Sequence, residues 1–67
     1  MQVFVSSPDR DGKVWRVEVD SRRVRAFRVI GGVMVEPPVP AVVDVGSLTA
    51  WLLDRGLTEG DLMRVDP

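Results

Sequence analysis

Cysteine and histidine are both missing from this chain of 67 residues. Without cysteine there is no disulfide and no thiolate metal site, and without histidine no side chain has an ordinary pKa close to neutral pH. The groups that remain for acid–base chemistry are carboxylates, hydroxyls and a single lysine, Lys13, beside a predicted turn. We therefore predict that the protein is not an enzyme and holds no metal or cofactor.

Long apolar runs are also missing. The longest unbroken run of apolar residues and glycine covers residues 29–35, whereas a membrane-spanning helix needs about 20 residues. The residues after Met1 do not form a basic stretch followed by an apolar run, which is the pattern of a secretory signal. We expect a cytoplasmic protein that does not contact a membrane.

The chain is short, and its length predicts one domain, residues 1–67. A domain of this size buries only about 60% of the surface that its unfolded chain exposes, so its stability is expected to be small. The composition rules out disulfides and thiolate metal sites, two common ways to stabilise a small domain. Association is the remaining one, and we expect that a protein partner, or a second copy in a homodimer, completes the domain.

Valine is abundant: fourteen of the 67 residues are valine, and most lie in runs of four to eight residues bounded by Gly, Pro, Asp or Ser. Such runs are typical of strands. Strands are predicted at residues 2–6, 13–19, 23–30 and 33–36, with residues 41–45 as a candidate edge strand. In the second strand, alternation places Trp15, Val17 and Val19 on the buried face. In the third strand both faces carry apolar residues and arginine, so its buried face stays undecided.

One short helix is predicted after these strands. Ser47 is a good N-cap for a helix over residues 48–55, and Gly56 suits a left-handed C-cap. A helix of this length is unstable alone and must pack on the sheet. Thr58 and Asp61 then have the spacing of a second capped turn. The predicted fold class is therefore α+β: an antiparallel four-stranded, possibly five-stranded, β-meander followed by a short C-terminal α-helix packed on one sheet face.

Charge is distributed unevenly along the chain, although the net charge is only −1. Residues 10–28 contain seven basic and three acidic side chains, for a net charge of +4, whereas the residues from 29 onward carry −4. The candidate binding residues are the arginines of the predicted strands and turn: Arg16, Arg22, Arg23, Arg25 and Arg28. We interpret the chain as a non-catalytic binding or regulatory module that acts through protein–protein contacts with an acidic partner or with itself. Alternatively, these arginines form a solvent-exposed face without a binding role, and the acidic residues in the rest of the chain balance their charge.

A different class of function fits the same segment. Trp15 and Phe27 lie among the arginines of adjacent predicted strands, and proteins that bind single-stranded nucleic acid combine a basic groove with aromatic rings on which bases stack. The small negative net charge of the whole chain, and the need of a small domain for aromatic side chains in its core, argue against this hypothesis.

The turn after the first strand has part of the spacing of a calcium-binding loop. Ser7, Asp9, Asp11, Gly12 and Glu18 fall at ligand or turn positions of that pattern, which requires helices on both sides. Both neighbouring segments are predicted strands, so we favour a hairpin turn built on Asp11 and Gly12.

Overall fold

The computed structural model of the protein describes residues 1–21, 23–35 and 44–66. Five antiparallel strands form one sheet in the order β4-β3-β2-β1-β5, and one helix packs on it. The elements are β1 (Gln2–Ser6), β2 (Val14–Asp20), β3 (Arg23–Ile30), β4 (Val33–Val35), α1 (Val45–Asp54), a 3-10 turn (Glu59–Asp61) and β5 (Leu62–Arg64). The predicted α+β fold is confirmed.

The first four strands form the predicted meander. Each strand pairs with the next, and the register places Phe4 opposite Val17 and Val17 opposite Ala26. Gly31 and Gly32, between β3 and β4, both have positive φ, which a two-residue hairpin turn of this kind requires and glycine adopts without steric cost. Residue 36, the predicted end of β4, lies outside the described residues.

The fifth strand differs from the prediction. It follows the helix instead of preceding it, and β5 pairs with β1 in a register that places Met63 opposite Val5. Of the predicted strand at residues 41–45, residues 41–43 lie outside the described residues and Val45 belongs to α1. The pairing joins the two ends of the chain, so local sequence patterns did not indicate it.

Helix α1 begins earlier than predicted. Asp44, and not Ser47, is the N-cap, and its side chain accepts a hydrogen bond from the Ser47 amide at 2.8 Å. Both residue types are good caps, and the earlier one adds nearly a turn to the helix. At the other end Gly56 has the predicted positive φ of 76°. Among the described residues there is no helix that is long and apolar enough to span a membrane.

The core lies between α1 and one face of the sheet, which we call the helix face. It contains seven buried residues, all on this face, on α1 or just after it: Trp15, Val17, Val24, Ala26, Leu48, Leu52 and Leu57. This arrangement settles the orientation of β3, whose Val24 and Ala26 point toward the helix. Phe27 therefore lies on the opposite face of the sheet, the outer face.

Candidate interaction surface

The five arginines singled out from the sequence do not form one cluster. Arg16, Arg23 and Arg25 lie on the outer face, whereas Arg28 is opposite Trp15 on the helix face. Arg22 lies outside the described residues. The structure therefore brings together three of the five residues on one side of the sheet.

Carboxylates accompany these three arginines on the outer face. Arg16 forms an ion pair with Glu18 at 3.0 Å. The register also places Arg25 opposite Glu18, and Arg23 opposite Asp20. Two acidic groups are thus interleaved with three basic ones, and this part of the outer face carries far less positive charge than the sequence segment 10–28 suggests.

The two aromatic side chains of the nucleic-acid hypothesis are buried. Trp15 is 4% exposed on the helix face, and Phe27 is 5% exposed on the outer face. Base stacking needs an accessible ring face. Neither Trp15 nor Phe27 therefore has a ring face on which a base bound near these arginines could stack.

Asp9 has a structural role that its sequence pattern did not reveal. Its carboxylate is buried and accepts hydrogen bonds from the Trp15 indole at 2.9 Å and from the amides of Asp11 and Lys13 at 2.8 and 2.9 Å. Burial alone would raise the pKa of this carboxyl group, but the hydrogen bonds from Trp15 and the two amides outweigh it and lower the pKa below 3.8. Asp9 therefore organises the turn between β1 and β2.

The same turn bears on the calcium hypothesis. The segments on either side are strands β1 and β2, where a calcium loop requires helices. The Asp9 carboxylate already accepts three hydrogen bonds within the turn. Among the described residues, no group of three or more metal-ligating side chains is present.

A cluster of one arginine and two tryptophans closes the C-terminal end of α1. The guanidinium carbon of Arg55 lies 3.9 Å from the ring centroid of Trp51 and 5.3 Å from that of Trp15. The two rings meet edge to face, with centroids 5.1 Å apart. Arg55 also donates a hydrogen bond to the Trp51 carbonyl at 3.1 Å, which satisfies a group left unpaired at the helix end. These contacts stabilise the fold, and nothing in the local sequence pattern pairs Arg55 with Trp15.

Strand β5 has an exposed edge. The Val65 amide donates to the Val3 carbonyl at 2.8 Å, and the Asp61 carbonyl accepts from the Ser7 amide at 2.9 Å, so residues 61 and 65 direct these backbone groups toward β1. Because such groups alternate along a strand, the Arg64 amide and carbonyl and the Leu62 carbonyl point away from the sheet. We call these three groups the β5 edge. The Leu62 amide bonds to the Glu59 carbonyl instead.

Apolar side chains lie beside this edge on the outer face. Met63 is 70% exposed and Val65 is 48% exposed, and they lie beside Val5 and Val3 of β1. We call Met63 and Val65 the β5 strip. A concavity of about 380 Å³ adjoins it, lined by Val5, Ser6, Ser7, Gly60, Asp61, Leu62, Met63 and Val65. The sequence pattern predicts the capped turn at Thr58 and Asp61 but no strand after it.

Two hydrogen-bonded motifs hold β5 in place. Thr58 and Asp61 form the predicted capping box before the strand. After it, the Asp66 carboxylate accepts from the Val3 amide at 3.0 Å and from the Arg64 guanidinium at 2.9 and 3.1 Å. The hydrogen bonds from Arg64, followed by the one from Val3, lower the pKa of Asp66 to about 2.

Comparison of the chain with protein-family models, with curated proteins and with solved structures gives no significant match.

Proposed function

We propose that this domain is a non-catalytic binding or regulatory module that contacts another polypeptide through the β5 edge and the β5 strip. The observation that carries the proposal is that β5 combines outward backbone groups with two exposed apolar side chains, Met63 and Val65. Domains that bind by strand addition use both features: the backbone groups supply hydrogen bonds, and the side chains select the partner.

The geometry also indicates what kind of segment would bind. A strand added beside β5 would place alternate side chains on the two faces of the sheet. On the outer face these side chains would meet Met63 and Val65, so that side of the partner strand is expected to be apolar. On the helix face they would meet Arg64, whose guanidinium is already paired with Asp66.

Single-stranded nucleic-acid binding by the arginines of β2 and β3 stays a prediction with weaker support. It relied on Trp15 and Phe27 as stacking platforms, and both are buried. The carboxylates of Glu18 and Asp20 would also oppose phosphate at this face.

A site-specific photocrosslinker tests the proposed function in the cell that makes the protein. The reactive side chain replaces Met63 in one variant and Leu53 in another, because Leu53 is an apolar residue of α1 with a comparable exposure of 57%. We expect covalent adducts with polypeptide, either this chain or another, at position 63 and not at position 53.

Mass spectrometry of the adducts identifies the partner. A lack of polypeptide adducts at position 63 above the level at position 53 would contradict the proposed function. Adducts with nucleic acid alone at position 63 would contradict it as well.

A further inference from the structure

The β5 edge and strip are complementary to themselves. On the basis of the proposed function, we propose that the polypeptide bound at β5 is the β5 strand of a second copy of this chain. Two domains related by a twofold axis would then pair β5 with β5 in antiparallel orientation and form one continuous sheet of ten strands. Each domain presents five strands, with β5 at the end of the sheet.

One register of this pairing uses the outward backbone groups. If the twofold axis passes beside Arg64, its amide and carbonyl face the carbonyl and amide of the partner's Arg64, and two mutual hydrogen bonds form. The neighbouring positions are then non-hydrogen-bonded pairs, in which side chains approach most closely. Met63 lies opposite the partner's Val65, and Val65 lies opposite the partner's Met63.

This register covers the β5 strip of both subunits. Within one subunit, Val65 lies beside Val3 and Met63 beside Val5 on the outer face. The pairing joins these contacts across the interface between the subunits and forms two apolar rows. Each row runs from β1 of one subunit across both β5 strands to β1 of the other. Cross-strand apolar pairs are the units that stabilise antiparallel sheets. Met63, whose exposure of 70% is the largest that the structure describes for a large apolar side chain, is thereby covered.

The charges at the junction are compatible with a twofold axis. Two arginines lie opposite each other there, and like charges at such positions repel. Each Arg64 is held by the Asp66 of its own subunit through two hydrogen bonds, at 2.9 and 3.1 Å. The pair from each subunit is neutral, so no net charge accumulates at the axis.

A matched pair of variants tests the backbone contact. Arg64→Pro removes the outward amide, and a proline is tolerated on an edge strand when its missing amide would face away from the sheet. Arg64→Ala removes the same charge and side chain but keeps the amide. We expect sedimentation to show a concentration-dependent dimer for the wild type and for Arg64→Ala. For Arg64→Pro, association should be at least about tenfold weaker because both mutual hydrogen bonds are lost.

A second pair of variants tests the side-chain contacts. This pair also tests the dimer if circular dichroism shows that Arg64→Pro is unfolded. Met63→Asp places a charge in both apolar rows and should weaken the dimer at least about tenfold, since an unpaired carboxylate would be buried. Leu53→Asp introduces the same charge on the exposed side of α1 and should leave the dimer unchanged.

The inference is overturned if the wild-type protein stays monomeric up to about millimolar concentration, which corresponds to a very weak complex. It is also overturned if a folded Arg64→Pro or Met63→Asp variant dimerises as the wild type does. The crosslinking experiment separates this failure from that of the proposed function. Adducts at position 63 with a different protein would leave the proposed function standing without a homodimer.

Discussion

Replacement of Asp9 by alanine should lower the free energy of unfolding by about 2–4 kcal/mol. The buried carboxylate accepts three hydrogen bonds, one of them from the Trp15 indole, which is itself buried. A buried donor that loses its partner costs about 1–3 kcal/mol. The two amides add about 1 kcal/mol, since water can reach the exposed turn and replace part of their bonding. The total is a large fraction of the roughly 3–10 kcal/mol expected for a domain of this length.

The loss is measured by urea denaturation at neutral pH, followed by tryptophan fluorescence and by far-ultraviolet circular dichroism. Asp11→Ala is the control, because Asp11 is in the same turn with an exposed side chain, and its replacement should change the free energy of unfolding by less than about 0.5 kcal/mol. Asp9→Asn should fall between the two, since an amide oxygen can still accept from the turn but the Asn side chain carries no charge.

The dependence of stability on acidic pH is a second measurement of the role of Asp9. The pKa of Asp9 in the folded protein lies below its ordinary value of 3.8, so the carboxylate stabilises the fold above that pH, and this contribution is lost as the pH falls below it. Asp9→Ala should lack this part of the acid dependence. If Asp9→Ala were as stable as the wild type within about 0.5 kcal/mol, the assigned role of the carboxylate in the turn would be wrong.

Four further predictions test the fold and the weaker functional hypothesis. Trp15→Ala should cost about 3–5 kcal/mol in urea denaturation and Trp51→Ala less, because Trp15 is buried and Trp51 only half-buried; equal costs would contradict the packing described. Gly56→Ala should cost more than Gly12→Ala by the same assay. Both glycines have positive φ, but only at Gly56 would the added carbon meet a neighbour, at 3.3 Å. Asp66→Asn should flatten the pH dependence of stability between the ordinary carboxyl pKa of 3.8 and about 2, the window in which the unfolded chain has bound a proton at Asp66 and the folded protein has not; an unchanged loss of stability in acid would refute the role of that ion pair. Fluorescence anisotropy with a labelled single-stranded oligonucleotide should show no binding even at low salt, where contacts with phosphate are strongest, and micromolar, salt-sensitive binding would revive the nucleic-acid hypothesis.

Much of the fold could be predicted because its signals are local. The bounds of β1 and β3 match the predicted ones at Gln2–Ser6 and Arg23–Ile30, since Ser7 and Pro8 follow β1 and polar residues and glycines flank β3. Gly56 after the helix and the Thr58 capping box were also predicted. Each of these features depends on conformations of neighbouring residues, which side-chain chemistry controls directly.

The candidate site was harder to predict, because contacts between distant residues create it. The sequence drew attention to arginines between positions 16 and 28, but whether they form a cluster depends on strand orientation. In β3, one face carries Val24, Ala26 and Arg28 and the other carries Phe27, so the sequence does not decide which face is buried. The packing of Val24 and Ala26 under α1 places the first of these faces toward the helix. The predicted N-cap, Ser47, was wrong for a related reason: Asp44 is a suitable cap as well, and only the full helix shows that Asp44 is the one used.

The sequence by itself determined that the domain lacks disulfides and histidine chemistry, that its chain forms a meander, and that a short helix follows. Only the tertiary structure decided that Asp9 is a buried acceptor for Trp15, and that Leu62–Arg64 forms a fifth strand on β1. The physical reason is sequence separation. Strand β5 can pair only because the meander leaves β1 at an open edge of the sheet, and no local pattern around Met63 indicates that this edge exists.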